Sequence, residues 1–133
     1  MKEVMKAIYA PINNAHEHRT YRTQAPQTTT LPDGRKVTTP YPYVVYKLLP
    51  IENTEQDRDD YTLEISCWDK PDNGSDDHII GVAESVKQSL ERQRPLTDHV
   101  LVIITRPNVG YVPDPDAQVK RYDVTATLKT YRR

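Results

Sequence analysis

Apolar positions along this chain fall into separate stretches whose spacing differs from one to the next. Val4, Met5, Ile8 and Ile12 recur every three or four residues, with Lys2, Glu3 and Lys6 on the opposite side, which predicts an amphipathic helix over 1–14. Pro11 has no amide hydrogen and its ring crowds the preceding turn, so this helix is expected to end or bend near Ala10. Residues 43–49 (YVVYKLL) are a β-branched and aromatic run between prolines, the mark of a strand. Tyr61–Trp68 alternates strictly, with Tyr61, Leu63, Ile65 and Cys67 on one face and Thr62, Glu64, Ser66 and Trp68 on the other. The polar stretch IENTEQDRDD between the two is too short for a parallel crossover, so they should pair antiparallel.

Helical spacing returns at Ile79, Val82, Ala83, Val86 and Leu90, predicting a helix over 75–93. Ser75 is the expected N-cap, with Asp76 and Asp77 in the first turn, where the helix dipole favours negative charge. Val100–Thr105 (VLVIIT) is almost purely aliphatic and reads as the centre of the sheet. A last strand over 119–131 places Tyr122, Val124, Ala126 and Leu128 inward, and Asp123, Thr125, Thr127 and Lys129 outward. The prediction is a single α+β domain over 1–133. It has one mostly antiparallel β-sheet of four to five strands, two helices packed on one face, and long polar loops.

Two segments are too polar to bury. Residues 24–40 are rich in Thr and Pro, and Asp33–Gly34 is a favoured hairpin turn between Thr-rich arms, so this stretch is a long loop or a projecting hairpin. Arg19–Thr23 ahead of it is a candidate short strand with Tyr21 facing inward. Residues 106–118 form a second, Pro-rich loop. Both are expected to gain their order only from contact with other polypeptides.

Charge removes one class of function. The chain carries 18 basic and 19 acidic residues, and a non-specific nucleic-acid binder needs a basic excess or a basic face. The Lys129, Arg132, Arg133 cluster reads as a solvated tail. A single cysteine, Cys67, excludes an internal disulfide and a cysteine metal cluster, and its inward phase predicts a buried, inert thiol in a protein of reducing compartments. The first residues lack the apolar run of a signal peptide, and no stretch is long enough to span a bilayer.

Candidate chemistry is thin. His16 and His18 form a His-x-His pair, but no carboxylate motif stands beside it, and His78 and His99 lie in unrelated sequence contexts, so solvated histidines suffice. Asp57, Asp59 and Asp60 resemble the start of a calcium loop but lack its glycine and distal glutamate, and a polar turn between strands explains them with less. The scattered glycines form no phosphate-binding loop, and no triad signature is present. No catalytic, cofactor or metal residue is therefore assigned, and the chain is expected not to be an enzyme. Nine tyrosines with no phenylalanine suit a binding surface, since tyrosine joins apolar area to a polar tip; Tyr41, Tyr43, Tyr46, Tyr111 and Tyr131 lie on or beside loops and strand ends. Trp68, outward and isolated, is the one feature that fits a base-stacking sheet, the mark of a small adaptor or nucleic-acid-binding module with a ferredoxin-like sheet.

From Tyr41 to Tyr131 the order of features resembles the tail terminator (tail-completion, tail-to-head joining) proteins of long-tailed, siphovirus-type bacteriophages. A short helix and a Thr/Pro-rich loop precede a strand opened by Pro42-Tyr43-Val44-Val45. An alternating strand ending in Trp68, an Asp/Gly-rich break, the 75–93 helix, an aliphatic strand, the Pro113-Asp114-Pro115-Asp116 loop and a final alternating strand follow. The resemblance implies a structural virion protein that assembles with itself as a hexameric ring, caps the tail-tube protein and docks on the head-completion or connector protein. DNA would pass nearby without sequence-specific binding. It also implies assembly in the host cytoplasm, a final place in the virion tail or neck, and no membrane. The loops then supply the candidate contacts with neighbouring subunits and partners: Asp33, Arg35, Lys36, Tyr41, Asn108, Tyr111, Asp114 and Asp116.

Overall fold

The structure is a computed structural model that describes residues 1–52, 57–91 and 93–133. In chain order its elements are α1 (Lys2–Asn13), β1 (Arg19–Arg22), β2 (Thr28–Thr30), β3 (Lys36–Thr38), β4 (Tyr43–Ile51), β5 (Arg58–Asp69), α2 (Asp77–Glu91), β6 (Val100–Ile104), β7 (Asn108–Tyr111) and β8 (Lys120–Arg132). Six strands make the main sheet in the order β1-β4-β5-β8-β6, with β7 also on β8, while β2 and β3 form a separate hairpin. Every pairing in the main sheet is antiparallel except β1 with β4. The α+β class and the mostly antiparallel sheet agree with the sequence reading, although the sheet has more strands than the four to five expected.

Alternation along the long strands decides which face is buried. Val44, Tyr46 and Leu48 of β4, Leu63, Ile65 and Cys67 of β5, and Val124 and Leu128 of β8 all face the helices and are buried. Val4, Ile8 and Ile12 of α1 and Ile79, Val86 and Leu90 of α2 complete the core, each no more than 1% exposed. Burying each such aliphatic side chain stabilises by about 1.5–3 kcal/mol, and this holds both helices on one face of the sheet.

The structure corrects several boundaries. Helix α1 does not stop at Ala10; it runs through Pro11 to Asn13 because Ile12 is fully buried and the Pro11 carbonyl accepts the Ser89 hydroxyl of α2 at 2.7 Å. Packing there outweighs the lost backbone bond. Helix α2 begins at Asp77, so Ser75, which accepts the Asp77 amide at 3.3 Å, lies one residue before the capping position, and the Asp76 carboxylate accepts the Tyr122 hydroxyl. Of the predicted 75–93 span, Arg92 lies outside the described residues. The β4–β5 hairpin is longer than expected: Asp59 and Asp60 belong to β5, and of the turn, residues 53–56 lie outside the described residues.

VLVIIT is not the centre of the sheet. β6 is an outer strand, and the two-sided positions belong to β4, β5 and β8. Residues 95–97 cover part of its free edge: Val102 donates to the Pro95 carbonyl at 2.9 Å, Thr97 donates to the Val100 carbonyl at 2.8 Å, and Leu96 bridges Leu101. The aliphatic run reflects burial by α1 and by this flap. The 106–118 loop contains β7, which continues β6 along β8 after a break at residues 105–107, where the Thr105 hydroxyl and amide both donate to the Thr127 carbonyl.

Candidate functional site: an aromatic and charged end of the sheet

Strand β1 runs beside β4 for only four residues, and its last contact is the Thr23 amide on the Tyr46 carbonyl at 2.8 Å. Thr23 has φ +68°, and the next amide, Gln24, returns to the Arg22 carbonyl at 2.7 Å, a γ-turn that reverses the chain. Residues 23–25 then cross the solvent-side face of the sheet and wall a cleft of about 330 Å³ with Val45, Lys47, Trp68 and Arg121. Tyr21 shares register with Val45 and so lies on this open face rather than inward as expected; its ring meets Tyr43 at 6.0 Å.

Trp68 is not isolated. Tyr43 stacks beside it at 6.2 Å, Tyr41 stacks on Tyr43 at 5.2 Å, and the Arg121 guanidinium lies 4.7 Å over the indole ring. Arg121 also makes paired 2.9 Å bonds to the Asp123 carboxylate, reaches Glu64 at 3.4 Å and Ser66 at 3.2 Å, and Lys47 approaches the same Glu64 at 3.6 Å. Two cations thus meet two carboxylates, and the face carries no basic excess. Burial raises the Tyr43 hydroxyl to about 12, helped by Tyr41 and by the Asp114 carboxylate, so it stays a hydrogen-bond donor.

The predicted contact residues fall into three groups. Asp33 and Arg35 hold the tip of the β2–β3 hairpin through a 2.7 Å ion pair, with Gly34 at φ +89° between them, and Lys36 opens β3. The stretch takes the hairpin form, one of the two expected, as a two-stranded sheet separate from the main one; its base is tied by Thr39, whose hydroxyl donates to the Pro26 carbonyl and whose amide donates to the Gln27 carbonyl. Tyr41 stacks on Tyr43 and the Asp114 carboxylate acts electrostatically on the same hydroxyl, which brings the root of the hairpin and the Pro-Asp loop to one end of the sheet. Tyr111 is 56% exposed at that same end, its ring tilted against Tyr122 with centroids 5.5 Å apart, and Asp116 pairs with Lys70 at 3.7 Å. The hydrogen bond to Asp76 is the main reason the Tyr122 hydroxyl is pushed up to about 12. Asn108 stands apart, opposite Thr125 in the middle of β8.

Sequence reasoning missed two constellations. The Trp68–Arg121 stack needs the β5–β8 register, in which they are direct partners, and strand alternation alone cannot supply it. The histidines are the other: His78 of α2 lies with His16 and His18, its Nε2 2.8 Å from that of His18. Tyr46, read as a loop-side residue, is 2% exposed in the core. Cys67 is buried as expected, and burial pushes its thiol up to about 12. Among the described residues, no group of three His, Cys, Asp or Glu side chains is arranged to hold a metal, and no helix is long and apolar enough to cross a membrane.

No family model matches the chain, and no curated protein matches its sequence. Among solved structures, a chain of the virion of a native gene transfer agent particle has the same fold. The likeness covers 96% of this chain and 94% of that one, with a TM-score of 0.64 and 12% identity. A second solved structure is similar over 100% of this chain and 96% of its own, with a TM-score of 0.62 and 8% identity. At such identities the likeness is one of fold.

Proposed function

We propose that this chain is a structural virion protein of a phage or phage-like particle that ends the tail tube and joins the tail to the head connector as a ring of six copies. The observation that carries the reading is the fold shared with a gene transfer agent virion chain over nearly the full length of both. The end of the sheet where the hairpin root, the Pro-Asp loop and the tyrosine row meet supplies a broad polar and aromatic surface of the kind protein partners use. The protein works by binding other polypeptides and not by catalysis. DNA passes nearby without sequence-specific binding. Assembly takes place in the host cytoplasm, and the ring stays in the tail or neck.

Two measurements test this. Purified chain added to tails that lack it should bind at one tail end and nowhere along the tube, as seen by electron microscopy; binding along the tube, or none, would sink the reading. Deleting residues 28–39 from the particle-producing genome should yield separate heads and tails while the variant chain still folds. Normal particle titres would show that the hairpin is not a joining element.

A second reading has one observation in its favour. The row Tyr41, Tyr43, Trp68 offers ring faces to unpaired bases. The pairing of Lys47 and Arg121 with Glu64 and Asp123 weighs against it, because phosphates would meet a neutral face. A salt-dependent shift with single-stranded DNA would restore it.

A further inference from the structure

The corner between α1 and β1 carries His16 and His18, and the first turn of α2 carries His78. His16 accepts the His18 amide on Nδ1 at 3.0 Å, so its ring proton sits on Nε2, which donates to the Thr20 hydroxyl at 2.8 Å. Both nitrogens of His16 are thereby occupied, and burial, with a smaller push from His18, lowers the pKa of this ring. The other two rings meet edge to face, centroids 5.0 Å apart, with a 2.8 Å contact between their Nε2 atoms. Such a contact requires one N–H and one lone pair. It holds a single proton between the rings, and a second proton turns donor and acceptor into two donors facing each other.

We propose that the His18–His78 pair is a proton-sensitive clasp that fastens the root of β1, and through it the hairpin arm, to α2, and that opens when both rings are protonated. β1 is lightly held in the sheet. It is four residues long, pairs on one side only, and leads at once into the Thr23 reversal. The clasp and the Thr20–His16 bond are its side-chain ties on the helix side. Groups facing the pair are Glu17 and His16 from the corner and Asp77 from α2. The site opens into a cavity of about 680 Å³ beside Gly81, where a side chain would meet nothing, so the rings have room to part. Histidine is the side chain whose ordinary titration falls in this range.

The test uses the full chain and does not depend on any virion role. Amide exchange followed by NMR at about pH 8 and about pH 5 should show protection factors at Thr20–Arg22 falling roughly tenfold on acidification, the worth of one hydrogen bond, while β5 and β8 hold theirs. In His78→Gln, and separately in His18→Gln, protection at β1 should be the same at both pH values. Unchanged β1 protection in the natural chain, or an equal fall in the glutamine variants, overturns the clasp. Stoichiometric retention of added Zn²⁺ with loss in either variant also overturns it, since both nitrogens would then be metal ligands.

Discussion

At the scale of the residue, Thr23 is the position where side chain and backbone disagree most. A β-branched residue at φ +68° costs about 1–2 kcal/mol relative to an unstrained conformation, and the chain accepts it to swing from β1 across the open face. Thr23→Gly should therefore raise stability by about 1 kcal/mol, or roughly 2–4 °C in melting temperature, after glycine's own entropy cost is offset. A loss of stability in a thermal melt would show that the threonine side chain contributes more than its backbone costs. Cys67 gives a second expectation at this scale. With its thiol near 12 in place of the ordinary 9.0, the native thiolate at about pH 8 is roughly a thousandfold scarcer than in an exposed cysteine, so labelling by a disulfide reagent should be at least that much slower until the chain unfolds. The unfolded thiol ionises first on going alkaline. Stability from this group is therefore complete below about pH 9 and declines as pH rises toward 12. The burial of Cys67 was legible from its phase in Tyr61–Trp68. Arg121 over Trp68 and His78 against His18 were not, because these partners lie more than fifty positions away and only register and docking bring them in.

Among the elements, those with full amphipathic period were read well: α2, β5 and β8 lie within a few residues of where spacing put them. Errors arose where local chemistry was overruled by packing. Pro11 argued for a stop, yet the buried Ile12 and the Ser89 hydroxyl carry α1 one turn further. The proline remains a cost, since it lacks the amide that would reach Ala7. Pro11→Ala should stabilise the chain by about 1–3 kcal/mol, measurable by urea denaturation, with the Ser89 bond to the residue-11 carbonyl retained. A neutral or destabilising result would show that the proline ring itself packs into the fold. β7 was missed because NVGY between two prolines has too few apolar residues to mark a strand. It forms because β8 is long enough to offer a second row of backbone groups beyond the end of β6. β1 escaped its predicted orientation for a related reason: four residues hold too little alternation to choose a face, and parallel register with β4 made the choice.

For the molecule as a whole, the long polar segments are not independent decorations. The hairpin root at Tyr41 and the Pro-Asp loop at Asp114 converge on Tyr43, so a partner that engages one is positioned to engage the other. The described residues thus form a sheet with a helix-covered back and a front that is tyrosine-rich and charge-balanced toward one end. The small flap at residues 95–97 carries a consequence for how such a subunit survives before it is used. β6 is VLVII, aliphatic throughout and without a charge or proline of its own, the sort of strand that recruits copies of itself into fibres when its edge is bare. Pro95 and Thr97 occupy two of its hydrogen-bonding positions. Thr97→Pro, which removes both the amide and the hydroxyl that hold the flap, should convert a storable protein into one that gains light scattering and thioflavin fluorescence within hours at concentrations where the natural chain stays clear. A guard of three residues, on this account, separates a subunit that waits from one that precipitates.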